Sequence, residues 1–307
     1  MKKTPVENNK SPLAGPGGRD FRVFEGPRTR HRDYVLKAYK PLCDPRGRLH
    51  SVSAYRFAMQ DAGCWAAVAP LVEALRGALG PDEVVWGVKY GPAGISSEFY
   101  FYSNLLNPPG NPKSAARIRK ILKPFVNIRG VVPEAAPYFM CSLDFTAADL
   151  RAGCIPEFKI YLGSAANGHG GYSFLAAESG LRLENHYEFF PMPAGLAGVK
   201  ARLRYSARAG RAAGPRAALL PAYLAACGTI CYAVKPLCDA MYFSRINTGA
   251  LERFLAENRP GPLQKMLAGN RDAFSHLLWD VGWDFAAPPG KGGGALKTGK
   301  IGVYGVF

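Results

Sequence analysis

From residue 84 onward the chain runs in pairs of short β-type segments. Five such pairs limit what it can fold into more than any other feature. Val84–Tyr90 is followed by Glu98–Ser103, and Tyr138–Phe145 by Glu157–Leu162. Tyr172–Ala177 precedes Leu181–Phe190, Thr229–Val234 precedes Ala240–Ile246, and Leu277–Phe285 precedes Lys300–Phe307. The segments are rich in Val, Ile, Phe and Tyr, as half-buried strands are. Turn residues separate partners at Gly91-Pro92-Ala93-Gly94, Ser179-Gly180 and Pro289-Gly290.

Helical signals fill the intervals. Ala54–Leu79 places Phe57, Ala58, Trp65, Val68, Leu71, Val72 and Leu75 near helical spacing, and Pro70 is expected to start a second helix. Ser114–Leu122 reads as a short basic helix. Pro193–Ala226 reads as two pieces broken at Gly214-Pro215. Asn247 or Thr248 can cap a helix through Leu255, and Gly261-Pro262 separates it from Leu263–Phe274. Amphipathic helices need a sheet to cover, and a sheet that closes has no edge to protect. The fold predicted is therefore α+β: a ten-stranded antiparallel β-barrel, wet inside and surrounded by helices. Gly163–Gly171 is too short for the helix that a strict hairpin–helix repeat requires there. Residues 1–33 read as a disordered lead-in, and 34–307 as one domain.

Lys plus Arg number 39 against 23 Asp plus Glu, a net charge of +16. That excess favours an anionic partner without choosing among nucleic acid, membrane surface, phosphate and acidic peptide. No apolar run reaches the roughly 18 residues of a membrane span. The seven cysteines are odd in number and no export signal precedes them, so reduced thiols in a cytoplasm are expected. Cys227, Cys231 and Cys238 lack a second ligand cluster, and no metal site is assigned.

Alternation decides which side chains share a face. In Glu157–Leu162, Lys159 and Tyr161 point one way, Ile160 and Leu162 the other. With helices outside, Lys159 and Tyr161 face in, where an ammonium and a phenol both donate to phosphate oxygen. Lys300, Gly302 and Tyr304 repeat this logic. Tyr242 and Ser244 share a face opposed to Met241, Phe243 and Arg245, and Tyr232 is placed across from Tyr242. Arg182 and Tyr187 have opposite parity, so without a bulge only one faces inward. Glu98, Tyr100 and Tyr102 share a face, where a carboxylate can orient an aromatic nucleophile. Gly294 to Lys300 mimics a phosphate-binding loop, but Ile301 and a strand follow instead of Ser or Thr and a helix, which excludes a nucleoside triphosphatase. Asp280 and Asp284 are expected to pair with Lys or Arg rather than hold magnesium.

Tyrosines around a cationic pocket hold an anion and shield a carbocation, and an ionising allylic diphosphate needs both. These hairpin–helix units with a Lys-x-Tyr strand resemble the aromatic prenyltransferases of the ABBA or PT-barrel fold. The likeness covers about residues 85–307. It rests on Ser97-Glu98-Phe99, the Leu143-Asp144-Phe145 to Lys159-x-Tyr161 hairpin, Tyr232 to Tyr242, and Lys300 to Tyr304. It implies that Lys159, Tyr161, Tyr242 and Tyr304 hold a diphosphate while Glu98 faces the acceptor. Arg182, Tyr187, Tyr232 and Lys300 complete the expected diphosphate set. The implied partners are a prenyl diphosphate and an aromatic small molecule or peptide, with dimethylallyl transferred to a Trp, Tyr or similar ring. Magnesium is compatible with the sequence but not required by it, because the family's magnesium-binding Asp has no match near Tyr100. The alternative is a basic RNA- or peptide-binding module without catalysis, with aromatic side chains on an exposed sheet.

Overall fold

The structure, a computed structural model, describes residues 31–103, 107–163, 170–209, 218–286 and 297–307. Its strands are β1 (Val85–Gly91), β2 (Gly94–Tyr102), β3 (Asn127–Ile128), β4 (Met140–Phe145), β5 (Cys154–Ile155), β6 (Phe158–Gly163), β7 (Gly170–Ala177), β8 (Gly180–Pro191), β9 (Thr229–Val234), β10 (Asp239–Asn247), β11 (Leu278–Ala286) and β12 (Lys297–Val306). Ten of them close into one barrel in the order β1-β12-β11-β10-β9-β8-β7-β6-β4-β2, while β3 and β5 pair with each other. Neighbours in the barrel are antiparallel throughout. The seam is β1 on β12, with Val85 opposite Val306 and Tyr90 opposite Ile301.

Helices α1 (Val52–Asp61) and α2 (Trp65–Leu79) precede β1, and α3 (Ala115–Leu122), α4 (Ala147–Arg151), α5 (Leu196–Tyr205), α6 (Ala222–Ala225), α7 (Thr248–Asn258), α8 (Pro262–Gly269) and α9 (Arg271–Phe274) lie in the intervals between strands. The two periodicities meet between sheet and shell. Outward strand residues Trp86, Phe99, Phe145, Trp279 and Phe285 pack with Tyr55 of α1 and Phe254 of α7 in one buried cluster. Burying Trp and Phe at this density supplies most of the hydrophobic stabilisation, roughly 1.5–3 kcal/mol for each such side chain.

Several local expectations are corrected. The first helical stretch breaks at Gly63, which has φ +66°, and Pro70 lies inside α2. Buried Val68, Leu71, Val72 and Leu75 hold α2 together across the missing N–H. Helix α4 sits within the second hairpin, between β4 and β6, closed by a Thr146–Asp149 capping box. Strands β6 and β7 pair directly, and residues 164–169, where a strict repeat called for a helix, lie outside the described ones. The expected break at Gly214-Pro215 and the first three residues of the expected Gly294–Lys300 loop also lie outside them, while its last four belong to β12. Asn247 is the residue that caps α7, accepting from the Ala250 N–H at 2.9 Å. Leu263–Phe274 divides at Asn270 into α8 and α9. His31–Asp33, assigned by sequence to the lead-in, pack on the barrel: Arg32 pairs with Glu83 at 3.0 Å and Asp33 with Arg245 at 2.6 Å.

Candidate active site

Alternation along the closed sheet sends one set of side chains into the lumen. Lys89, Glu98, Lys159, Tyr161, Tyr242, Lys300 and Tyr304 all line its interior. Lys159 and Tyr161 thus face inward as predicted, and Ile160 packs outward in the core. Three glycines make room for the rings. A Cβ on inward Gly87 would lie 2.7 Å from the Tyr304 ring, and one on Gly302 2.8 Å from its far edge. Gly282 does the same for Tyr242, at 2.8 Å from Cε1.

Bulges decide the residues that simple parity left open. In β8 and β7, Ser173 faces Asn185 while the next residue, Phe174, faces Leu183, so Glu184 is inserted. The insertion reverses parity, and both Arg182 and Tyr187 reach the lumen. In β10 an extra residue between Phe243 and Ile246 leaves Arg245 at φ +63°. Arg245 therefore turns inward with Ser244, not outward as parity predicts. Tyr232 is the correction in the other direction. It stands opposite Met241, not Tyr242, and is buried in the outer core. Its hydroxyl donates to Asp239 and its ring lies 4.6 Å from the Arg202 guanidinium, so it takes no part in the lumen.

The lumen has two chambers that share a collar of Tyr100, Tyr161, Tyr187, Tyr242 and Tyr304. One chamber, of about 350 Å³, is charged: Lys89, Lys159, Arg182, Lys235 and Lys300 line it with Glu98, Glu184 and Asp284. The other, of about 300 Å³, is mostly aromatic and apolar, with Tyr34, Tyr102, Phe139, Met140 and Tyr172 in its wall. Tyr34 comes from the segment before the barrel. Its ring lies 5.0 Å from Tyr100 and 5.4 Å from Tyr304.

Glu98 is the hub of the charged chamber and is 1% exposed. It accepts from Tyr100 at 2.5 Å and Ser142 at 2.7 Å, forms an ion pair with Lys89, and lies 3.9 Å from Lys159. Burial alone would raise its pKa, but Lys89 and Lys159 outweigh it and hold the carboxyl well below the usual range. Lys159 also reaches Asp144 at 3.5 Å and Glu184 at 3.2 Å. Burial works against its charge, yet Glu98, Asp144 and Glu184 keep it firmly protonated. Asp284 pairs with Lys235 at 2.7 Å, as expected of it. Arg182 and Lys300 form no ion pair among the described residues, so they are the charged chamber's cations free to meet an anion. Burial and the neighbouring Lys89 lower the Lys300 pKa, and an arriving anion would reverse that.

Lys89, Glu184 and Tyr34 belong to this lumen but were not singled out by sequence, and Asp144, named there only within a hairpin motif, pairs with Lys89 and Lys159 beside them. Parity within Val84–Tyr90 could have found Lys89, since Trp86 and Val88 are apolar and opposite. Among the described residues no three His, Cys, Asp or Glu side chains gather to hold a metal ion, and all seven cysteines are free. No helix among them is long and apolar enough to cross a membrane.

No family model matches the chain, and no curated protein matches it. Solved structures do. The NotF prenyltransferase shares 12% identity over 82% of this chain and 91% of its own, with a TM-score of 0.49. A 6-dimethylallyl tryptophan synthase shares 11% over 84% and 96%, with a TM-score of 0.48. The PriB complex with product diphosphate shares 11% over 83% and 95%, with a TM-score of 0.47. The fold itself rests on this chain's own strand register: a closed ten-stranded antiparallel barrel inside a helical shell, the PT-barrel architecture that the resemblance implied.

Proposed function

We propose that the barrel transfers a prenyl group, dimethylallyl or longer, from its diphosphate to an electron-rich aromatic acceptor. The observation that carries this is the tyrosine collar between a cationic and an aromatic chamber. A diphosphate in the first chamber meets Arg182, Lys300, Lys159 and the tyrosine hydroxyls, while the acceptor ring occupies the second. The allylic C–O bond breaks, the diphosphate leaves with the electron pair, and the acceptor carbon or heteroatom bonds to the prenyl carbon and loses a proton. Collar rings face the developing cation, whose charge their quadrupoles stabilise. Glu98, with both oxygens engaged, holds Lys89, Lys159 and the collar hydroxyls in place for donor and acceptor. The NotF and PriB structures are described as prenyltransferases, one PriB complex holding L-tryptophan and dimethylallyl thiolodiphosphate, and that description agrees with this reading.

Incubation with dimethylallyl diphosphate and a panel of aromatic acceptors, read by mass spectrometry, tests it. A mass gain of one prenyl unit is expected. Arg182→Ala and Lys300→Ala should each weaken diphosphate binding about tenfold or more, the weight of a hydrogen bond to a charged group. Absence of turnover with every donor length in folded protein would end the proposal. The RNA-binding alternative needs aromatic residues on an open sheet, and here the collar tyrosines are enclosed.

A further inference from the structure

Asp280 is a buried carboxylate for which the charged chamber has no use. It stands on β11, lines the aromatic chamber and is 5% exposed. Its Oδ1 has no hydrogen-bond partner among the described residues. The Ser244 hydroxyl and the Tyr34 backbone N–H act to favour its ionised form. The nearest guanidinium, Arg245, is committed to Asp33, with Nε at 2.7 Å and a terminal nitrogen at 2.6 Å. Asp33 itself adds a repelling negative charge. Lys37 lines the chamber from its exposed rim, and Tyr39, Tyr102 and Cys227 are the other titratable groups that sense Asp280.

A carboxylate buried without a cation of its own takes up either a proton or a ligand cation. Burial, then Asp33, push Asp280 up to about 7, against the opposing influence of Ser244, the Tyr34 backbone and the Arg245 charge. The surrounding phenol rings favour a cation and repel a second anion. We propose that Asp280 binds a protonated amine carried by the acceptor, beside Tyr34 and Tyr102. The word acceptor rests on the prenyl-transfer reading; the subsite adds the class, an aromatic compound with a free amino group rather than one whose nitrogen is acylated in a peptide.

The test is calorimetric titration of the whole protein with tyramine and with N-acetyltyramine, without donor. Tyramine should bind at least tenfold more tightly at pH 8, and its affinity should rise between pH 6 and 8 as Asp280 ionises. Asp280→Asn should abolish the preference. Should that variant fold poorly, Ser244→Ala should shift the rise to higher pH by removing a hydroxyl that favours the ionised form. Equal affinities, no tyramine binding, or a preference that survives Asp280→Asn would overturn the subsite. Adding dimethylallyl diphosphate separates the two ideas. Asp280-dependent amine binding without turnover would end prenyl transfer alone, and equal turnover and affinity for both compounds would end the amine subsite alone.

Discussion

Asp280 shows how one residue can trade stability for a binding group. Its folded pKa stands at about 7 against an ordinary 3.8. Below the ordinary value both states are protonated and the residue costs nothing. As pH rises toward 7 the unfolded chain ionises while the folded one does not, so stability falls, by about 4 kcal/mol at most. Asp280→Asn should therefore stabilise the protein against urea at pH 8 by up to that amount, and hardly at all at pH 3. Equal shifts at both pH values would remove the strained carboxylate. The glycines beneath the collar make the opposite trade. Gly302→Ala pushes a methyl into the Tyr304 ring and should cost roughly 1–3 kcal/mol as overpacking, measured by urea midpoint. At this scale parity alone located Lys159, Tyr161, Tyr242, Lys300 and Tyr304, because each sits in a strand with apolar alternate neighbours. It misplaced Tyr232, whose strand offers Cys231 as an inward residue no less plausible by size.

At the scale of elements, β8 carries the device that sequence could not reveal. Glu184 is the inserted residue that lets Arg182 and Tyr187 share the lumen. Deleting Glu184 should restore regular alternation and send Arg182 outward. Donor affinity should then fall at least tenfold by calorimetry while far-UV circular dichroism holds, and unchanged affinity would show that the bulge does not set Arg182. The β10 bulge at Arg245 acts similarly, turning a guanidinium inward to latch Asp33 and with it the Tyr34 segment. Strand pairs were legible because period-two patterns repeat with turns between them. Bulges were not, because an extra residue leaves the local composition unchanged and is fixed only by the partner strand. Helix α4 was missed for a related reason: its five residues carry too little periodicity to read.

The whole molecule depends on closing one sheet, since β1 and β12 bring residues more than 200 positions apart into register. Phe307 packs beside that seam, fully buried, 5.1 Å from Phe99. Phe307→Ala should cost about 3–5 kcal/mol. Tryptophan fluorescence and circular dichroism should still report a single transition, because shell and barrel share one core; two separated transitions would contradict that. The alternation of apolar and polar residues, set residue by residue, determined strands, helices and which faces could be buried. Tertiary closure alone decided which lumen cations stay unpaired, where Glu98 spends its oxygens, and that Tyr34 and Asp280 meet in the aromatic chamber. Those outcomes turn on distances between segments remote in sequence, and a local pattern holds no record of them.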